Sequence, residues 1–537
     1  MSKAKEIFVP GNEWKTAGIL TLLIVLFSVL PLIMGYAQEQ PGEVFMGVPV
    51  YVTDANNHLH LALQAKEGDI LLTNKFTSEN VPNLFFNPYH LLLGNTARLF
   101  GMQVITVYNI YWVVLAFAFL IVLYYFISYF VQDKATRLVA FILAGISNGL
   151  GFWWFLVRKA TGYSFGSADL WLTDMNNFQS MQNPHFSLSL ALLMLVLLYG
   201  IKSFEQNSAK HAITAGLLGL ALSLIHLFDV ITFAIVLAVW FAYRQLRLGK
   251  WSWPDFWKLS LIGAITAPGV IYYAWVFIFN PAYAAWNSAN DTLTPPIVRV
   301  ISGFGLVFFL AVVYYFLNGQ NLLKREKAIA PEAFLAVWSI VGFILIYAPI
   351  NVQRRFILGL QIPLAILAAI ALARHLPNYL PKAKHVAISV IIVIIAISIS
   401  TNIYLTYNQV KNLHSQTVGE FQNVKYLSSE EVDALKWIDE NVDNSAVILA
   451  PHKISNFIPA ATGNKIYSGH WAQTIDFAEK YKDVQKVYNE GMDPGLLPID
   501  YVWWPDSGEW LEGNDRAEIF HKQYGNGKIA VYAKGEG

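Results

Sequence analysis

A succession of long apolar segments constrains this chain more than any other feature of its sequence. A helix needs about 20 apolar residues to cross the hydrocarbon core of a bilayer, and about eleven such runs follow one another here. They centre on residues 17–36, 102–131, 135–157, 185–203, 212–226, 229–247, 258–279, 299–318, 333–350, 357–373 and 385–408. Only 14% of the residues are charged, against about a quarter in soluble proteins. We therefore predict an α-helical polytopic membrane protein.

Charge and cysteine content exclude several classes of function. The net charge of +1 gives no electrostatic footprint for nucleic acid, so we expect no nucleic-acid partner. Because the chain has no cysteine, it can form neither disulfides nor thiolate metal sites. The first apolar run is long for a signal peptide and is followed by GYAQEQ, a poor cleavage site. We expect this run to remain as an anchor.

Lysine and arginine predict the orientation of the chain in the membrane. With the N-terminus inside, the short cytoplasmic loops hold about twice as many basic residues as the longer outer loops before residue 411. An odd number of spans then places the C-terminal part outside. We predict a multi-pass protein of the plasma (cytoplasmic) membrane, with a cytoplasmic N-terminus and an extracytoplasmic C-terminal domain.

The composition changes near residue 411. This change predicts a membrane domain, residues 1–410, with a long first outer loop at 37–101, and a small soluble α/β domain, residues 411–537. In the second domain Ser428 and Glu431 have the spacing of a capping box before a helical run. AVILAP, KIYSG, DYVWW and KIAVYA are typical of short strands.

Side chains suited to catalysis or binding concentrate in the predicted outer loops, whereas the inner loops are short and basic. They are Asp54, His58 and His90 in the first outer loop, Asp169, Asp174 and His185 in or just after the second, His226 and Asp229 between the fifth and sixth runs, and Arg354 and Arg355 between the ninth and tenth. We therefore expect a site that faces the outer side of the membrane.

The first outer loop also has a purely structural interpretation. DANNHLHLALQAKEGD is typical of an amphipathic helix on the membrane surface, with Leu59 and Leu63 on its apolar face. Asp54 would cap the N-terminus of this helix, a role that is compatible with catalysis. FFNPYHLLLGNTARLFG predicts a second interfacial helix, from Pro88 to Gly101.

Two charged pairs also have structural alternatives. His226 and Asp229 can simply pair with each other across a tight turn, which is the interpretation we favour. Arg354 and Arg355 can be anchors at a helix end. However, two adjacent outer arginines run against the positive-inside tendency. Arginine is also suited to bidentate phosphate recognition.

The order of these segments resembles the GT-C superfamily of polytopic glycosyltransferases, which includes protein mannosyltransferases and aminoarabinose transferases. One span leads to a long outer loop with an acidic residue near its start, in VTDANNH, and a Gly68-Asp69-Ile70 turn separates two surface helices. The further matching segments are NPYHLLLGNTARLFG, NPHFSLSLALLMLVL, QRRFILGLQIPLAILAAI and, near the C-terminus, PAATGNKIYSGHW. The resemblance extends along the whole chain and rests on the order of the segments rather than on any one motif.

The resemblance implies a function. Members transfer a sugar from a polyprenyl-phosphate donor on the outer face of the membrane, here to a lipid, glycan or protein acceptor. Asp54 would be the catalytic base of an inverting transfer, and Arg354 and Arg355 would bind the donor phosphate. His58, His90, Asp169, Asp174, His185, His226 and Asp229 are candidates for binding donor or acceptor. Membrane lipid is an expected partner.

The chain departs from the family in one respect. Many members have two acidic residues close together in the first loop, whereas this chain has DAN, with Asn56 where a second carboxylate would fall. We expect no required cofactor, and the sequence leaves a divalent metal open. Asp169 or Asp174 would supply a second carboxylate if one is needed.

The sequence also leaves a second class of function open, a secondary transporter or flippase of a lipid-linked or polar substrate. Such proteins have internal repeats and spans interrupted by Gly or Pro. No repeat is evident here, and Pro268-Gly269 is the obvious interruption. In the C-terminal domain, His470 and Trp471 of YSGHW are suited to stacking on a sugar or to packing against the helices.

Overall fold

The computed structural model describes residues 9–288, 291–323, 330–379, 383–415, 424–506 and 519–535. Its contacts divide the chain into two compact units. The bundle unit comprises Met1–Val29, Tyr111–Tyr273 and Asp291–Asn408, and the loop unit comprises Leu30–Ile110, Ala274–Asn290 and Gln409–Gly537. Six of the basic residues on which the predicted membrane orientation depends lie outside the described residues. They are Lys3, Lys5, Lys324, Arg325, Lys327 and Lys382.

Long apolar helices lie wholly or for the greater part of their length in the bundle unit. Their bounds are Gly11–Ser28, Val104–Phe130, Lys134–Ile146, Gly151–Thr161, Pro184–Glu205, Ala209–Ile225, Leu227–Leu248, Trp253–Phe279, Ile297–Leu323, Glu332–Leu345, Gln361–Ala369 and Lys384–Lys411. Short helices at Ala168–Leu170, Thr173–Met175, Asn177–Ser180, Gln353–Ile357, Ile370–His375 and Leu376–Tyr379 connect or extend them.

Each of the predicted apolar runs coincides with a helix or a bent pair of helices. In the described part of the chain, seven helices are long and apolar enough to cross a membrane, and up to nine if each of two bent pairs is one span. The bent pairs are Gly11–Ser28 with Leu30–Ala37 and Lys134–Ile146 with Gly151–Thr161. Ala209–Ile225 and Glu332–Leu345 are apolar but shorter. The helical class is confirmed, and the count of about eleven spans stays a prediction.

Residues 147–150, SNGL, interrupt the bent pair at 134–161, whose halves differ in direction by 59°. Ser147 and Asn148 are buried, so the peptide groups of this break need partners within the protein. The N–H groups of Asn148 and Leu150 donate to the carbonyls of Ser398 and Ser302, at 2.7 and 2.9 Å. The break is therefore hydrogen-bonded to two other helices of the same unit.

Side-chain amides satisfy the carbonyl groups at this break. Gln361 Nε2 donates to the Ser147 carbonyl at 2.8 Å, and Asn402 Nδ2 donates to the Ile146 carbonyl at 2.8 Å. Asn402 Oδ1 in turn accepts from the Asn148 side chain at 2.8 Å. The side-chain amides of Gln361 and Asn402 thus replace helical hydrogen bonds that the break removes.

The loop unit contains two sheets. Strands β1 (Glu43–Phe45) and β2 (Tyr426–Ser428) pair antiparallel, so the first outer loop and the chain after residue 424 share a sheet. The second sheet comprises β3 (Val447–Leu449), β4 (Lys465–Ile466), β5 (Tyr501–Pro505), β6 (Phe520–Gly525) and β7 (Ile529–Lys534), in the order β4-β3-β5-β7-β6. Strand β3 runs parallel to β4 and β5, and β7 runs antiparallel to its neighbours.

Most of the elements predicted for the loop unit are present. The four strand-like segments form β3, β4, β5 and β7, and Ser428 with Glu431 forms the predicted capping box. The sequence prediction missed β1, β2 and β6. The helices are Leu30–Ala37, Val52–Glu67, Pro88–Phe100, Pro281–Ser288, Ser429–Asn441, His452–Ser455, Ile458–Thr462, Phe477–Gln485, Lys486–Glu490 and Pro494–Leu496. The domain limits at 410 and 411 stay a prediction.

We predict that Asn402→Ala lowers the thermal stability of the purified protein by several degrees. The substitution leaves the Ile146 carbonyl and the Asn148 amide without this partner, and each buried unsatisfied group costs about 1–3 kcal/mol. Thermal unfolding in detergent, followed by tryptophan fluorescence, measures the effect. Asn12→Ala, an exposed asparagine of the same unit, is the matched control. Equal melting temperatures for the two variants would show that the network does not stabilise the fold.

Candidate active site

Asp54 lies in the first turn of the Val52–Glu67 helix. The residue before this helix, Tyr51, has a left-handed backbone (φ 52°) and no side-chain cap hydrogen bond. The prediction that Asp54 caps the helix is therefore wrong, because the helix begins two residues earlier. A carboxylate at this position still benefits from the positive end of the helix dipole. Its side chain is 55% exposed, which suits a group that meets a substrate.

His470 contacts Asp54 in the loop unit. Its Nε2 lies 3.1 Å from Asp54 Oδ1, and its Nδ1 accepts a hydrogen bond from the Ala472 N–H at 3.0 Å. A ring nitrogen that accepts from an N–H carries no proton, so the proton of the neutral ring is on Nε2. His470 therefore donates to Asp54. The imidazole is only 3% exposed.

The loop that carries His470 is bound to the first outer loop by several hydrogen bonds. Asn74 Nδ2 donates to the Gln473 carbonyl at 2.7 Å, and the Thr474 hydroxyl donates to the Phe76 carbonyl at 2.7 Å. The Gly469 N–H donates to the Thr474 hydroxyl at 3.0 Å. These bonds fix the backbone on both sides of His470.

His58 and His90, both predicted site residues, contact each other. His58 Nδ1 and His90 Nε2 are 2.9 Å apart. His58 follows Asp54 by four residues on one helix, so the two side chains point to the same side. His90 is buried, and burial lowers its pKa well below the ordinary value, with a further contribution from the neighbouring His58. His90 is therefore neutral at physiological pH.

In the bundle unit, the predicted phosphate-binding arginines lie at the Gln353–Ile357 helix. Arg354 Nε is 3.8 Å from Asp174 Oδ2, so the structure brings together one arginine and one carboxylate of the second outer loop. The Arg355 guanidinium lies 6.0 Å from the centre of the Phe228 ring, within the range of a cation–π contact. The backbone N–H of Arg354 donates to the Thr292 carbonyl at 3.1 Å.

His226 and Asp229 pair with each other, as favoured from the sequence. His226 Nδ1 lies 3.1 Å from Asp229 Oδ2 at the break between two helices, and the Ser189 hydroxyl donates to the same carboxylate oxygen. The rings of His185 and His226 are neighbours, with centroids 6.3 Å apart. The sequence offered no signal for Ser189, which is one of many polar residues on an apolar helix.

The two candidate carboxylates of the second outer loop differ in environment. Asp169 is 1% exposed, and it accepts hydrogen bonds from the Ser167 hydroxyl and from the Gly151 N–H, the latter at 3.2 Å. Burial raises the pKa of Asp169 to about 7. These contacts indicate that Asp169 has a structural role beside the broken span. Asp174, by contrast, lies beside Arg354.

Among the residues that the structure describes, no group of three or more His, Asp or Glu side chains is arranged to hold a metal ion. Asn56, which stands where many family members would have a second acidic residue, is buried on the Val52–Glu67 helix. Residues two apart on a helix do not face each other, so a carboxylate at this position would not lie beside Asp54.

Comparison with solved structures identifies the fold. The chain is similar to the oligosaccharyltransferase of Archaeoglobus fulgidus in the apo form, with 14% identity, a TM-score of 0.56, and coverage of 99% of this chain and 75% of that chain. The same organism's AglB in complex with an inhibitory peptide and a dolichol-phosphate is 14% identical, with a TM-score of 0.53 and coverage of 98% of this chain and 75% of that chain. ArnT from Cupriavidus metallidurans bound to undecaprenyl phosphate is 11% identical, with a TM-score of 0.51 and coverage of 98% of both chains.

No family model and no curated protein matches the sequence. At the low identities of the structural matches, the likeness establishes the fold alone. It supports the polytopic fold that the order of the sequence segments predicted. Together with the long apolar helices, it identifies a multi-pass membrane protein.

We predict that Asp169→Asn removes part of the pH dependence of stability. The pKa of Asp169 in the folded protein, about 7, lies above its ordinary value near 4. The protonated carboxyl therefore stabilises the fold fully below pH 4, and this contribution falls by a few kcal/mol as the pH rises to about 7. Melting temperatures between pH 4 and 8 should fall less steeply in the variant.

The control for this measurement is Asp291→Asn, because Asp291 is exposed in the same unit. This variant should follow the wild type across the pH range. If Asp169→Asn also follows the wild type, burial of Asp169 does not contribute to the pH dependence.

Proposed function

We propose that this chain is a glycosyltransferase that moves a sugar from a polyprenyl-phosphate carrier to an acceptor hydroxyl or amide on the outer face of the cell membrane. The observation that carries the proposal is Asp54, a half-exposed carboxylate in the first turn of the helix after the first span. It lies in a fold shared with an oligosaccharyltransferase and with ArnT, which were solved with dolichol-phosphate and undecaprenyl phosphate. The carrier is therefore proposed by analogy, and the acceptor is a lipid, glycan or protein.

The proposed reaction is a single displacement that inverts the anomeric carbon. The acceptor oxygen or nitrogen attacks this carbon while Asp54 takes the acceptor proton. The bond between the anomeric carbon and the phosphate oxygen breaks, and the polyprenyl phosphate leaves with the electron pair. Arg354 and Arg355 would stabilise the charge that develops on this phosphate.

Other predicted residues receive narrower roles in this proposal. Asp174 would orient Arg354, from which it is 3.8 Å distant. His58 would bind the acceptor or donor sugar, because it is on the same side of its helix as Asp54, and His90 would fix the ring of His58. His185, His226 and Asp229 would contribute polar groups to the outer end of the bundle unit. Burial of Asp169 favours a structural role.

The proposed reaction would need no bound cofactor, since the carboxylate and the arginines would supply the base and the positive charge. Transfer assays with and without a chelator test whether a divalent metal takes part. We also propose a cytoplasmic N-terminus and an extracytoplasmic C-terminal part, on the basis of the distribution of basic residues.

Two structural observations favour a transporter or flippase as the second candidate. The bent pair at 134–161 interrupts its helix at residues 147–150, and the Ile297–Leu323 helix contains Gly305 in a non-helical conformation. Interrupted spans occur at the substrate sites of secondary transporters. Here, however, the side-chain amides of Gln361 and Asn402 already donate hydrogen bonds to carbonyl groups at the break. Translocation of a fluorescent lipid-linked sugar in proteoliposomes distinguishes the two candidates.

We predict that Asp54→Asn lowers sugar transfer by about 10²–10⁴-fold, the usual contribution of a general base. The assay follows radiolabelled sugar from purified polyprenyl-phosphate donors to endogenous membrane acceptors. Asp433→Asn, an exposed aspartate of the same unit, should transfer like the wild type. Wild-type transfer by the Asp54 variant would move the base elsewhere, with Asp174 the next residue to substitute. Absence of transfer by the wild type with any donor would contradict the class.

We predict that Arg354→Gln and Arg355→Gln each lower kcat/KM for the donor by about 10–100-fold, because a charge-assisted hydrogen bond to the phosphate is lost. Arg299→Gln is the matched control, since Arg299 is an exposed arginine of the same unit. The measurement is the initial rate of transfer at several donor concentrations. An unchanged rate for both variants would mean that neither arginine binds the phosphate.

A further inference from the structure

We propose that His470 is a positioning residue for Asp54, which it holds in the orientation of a general base. This inference rests on the proposed function of Asp54. His470 lies 416 positions from Asp54 along the chain, yet its Nε2 is 3.1 Å from the carboxylate. Nothing in the motif YSGHW indicates this contact.

The hydrogen bonds decide which residue of the pair is the base. Nδ1 of His470 accepts from the Ala472 N–H, and Nε2 donates its proton to Asp54. Neither ring nitrogen has a lone pair open to a substrate. His470 is also only 3% exposed, whereas the Asp54 side chain is 55% exposed. Asp54 therefore meets the acceptor, and His470 supports it from inside, the reverse of the roles of Asp and His in a serine protease.

The backbone around His470 suits a positioning role. The Ile475 N–H donates to the Thr77 hydroxyl at 3.2 Å, and Thr77 forms a β-bridge with Ser468. A Cβ on Gly469 would lie 2.9 Å from the Phe76 ring, so this approach requires glycine. The loop is thereby held to the first outer loop on both sides of His470, and the imidazole has a fixed place.

The donated hydrogen bond has two consequences for Asp54. It restricts the rotation of the carboxylate, and it stabilises the charged form that accepts the acceptor proton. A base that is pre-oriented loses less freedom when the reaction begins. Titratable groups beside the pair include His58, one turn along the Asp54 helix, and Tyr108 of the Val104–Phe130 helix, which interacts electrostatically with Asp54. His452 interacts electrostatically with His470. None of the three is replaced in the test below.

The test compares two substitutions of similar size. His470→Gln retains an amide N–H that can reach Asp54, and His470→Met fills the same space without a donor. We expect His470→Met to lower kcat by about 10–100-fold with donor and acceptor KM within about twofold of wild type, while His470→Gln retains most of the activity. The acid limb of the pH–rate profile should move to higher pH in His470→Met only, because the carboxylate loses a donor.

The outcomes separate this inference from the proposed function. Loss of transfer in Asp54→Asn together with wild-type kinetics in His470→Met would overturn the role of His470 and keep the function. Equal loss in the Met and Gln variants, with an unshifted pH profile, would also overturn it, because the effect would not depend on the donor. Full activity of Asp54→Asn would overturn the role of His470 and the role of Asp54 as base, but not the glycosyltransferase class, which only the absence of transfer by the wild type contradicts. Melting temperatures of all variants establish that the folds are intact.

Discussion

The backbone N–H and C=O groups of residues 147–150 require hydrogen-bond partners from other helices of the bundle unit. They interrupt a helix in an apolar interior, where an unpaired N–H or C=O costs several kcal/mol. The protein meets this demand with Gln361, Asn402 and the carbonyls of Ser302 and Ser398. Helices that are far apart in sequence are therefore bound to one another at the break.

Close packing of glycines accompanies this network. A Cβ on Gly149 would lie 2.4 Å from the Gly303 carbonyl oxygen, and one on Gly305 would lie 2.9 Å from Gly149 Cα. Gly305 has a positive φ of 56° within the Ile297–Leu323 helix, a conformation that other residues rarely adopt. The break in one helix thus meets a kink in another. Asp169 adds a hydrogen bond to the Gly151 N–H, which connects the second outer loop to the same place.

The candidate site shows how far sequence reasoning extends. Apolar runs, the capping box and the turn residues predicted the helices and four of the strands, because these signals are local. Asp54, His58 and His90 were predicted as site residues, and the structure places His58 against His90. The role of Asp54 as a cap was predicted wrongly, since the helix begins at Val52 after a left-handed Tyr51. That backbone conformation has no local sequence signal, because tyrosine rarely adopts it.

The sequence by itself determined the class of this protein, since the length and spacing of apolar runs depend only on bilayer thickness and helix geometry. It also predicted which polar residues belong to a common site, on the basis of their positions between the apolar runs. Only the tertiary structure decided their partners: His470 with Asp54, Arg354 with Asp174, and Asn402 with the break at 147–150. The physical reason is that each partnership joins segments more than 150 residues apart. Such contacts depend on how the helices and loops pack, which no local pattern of residues records.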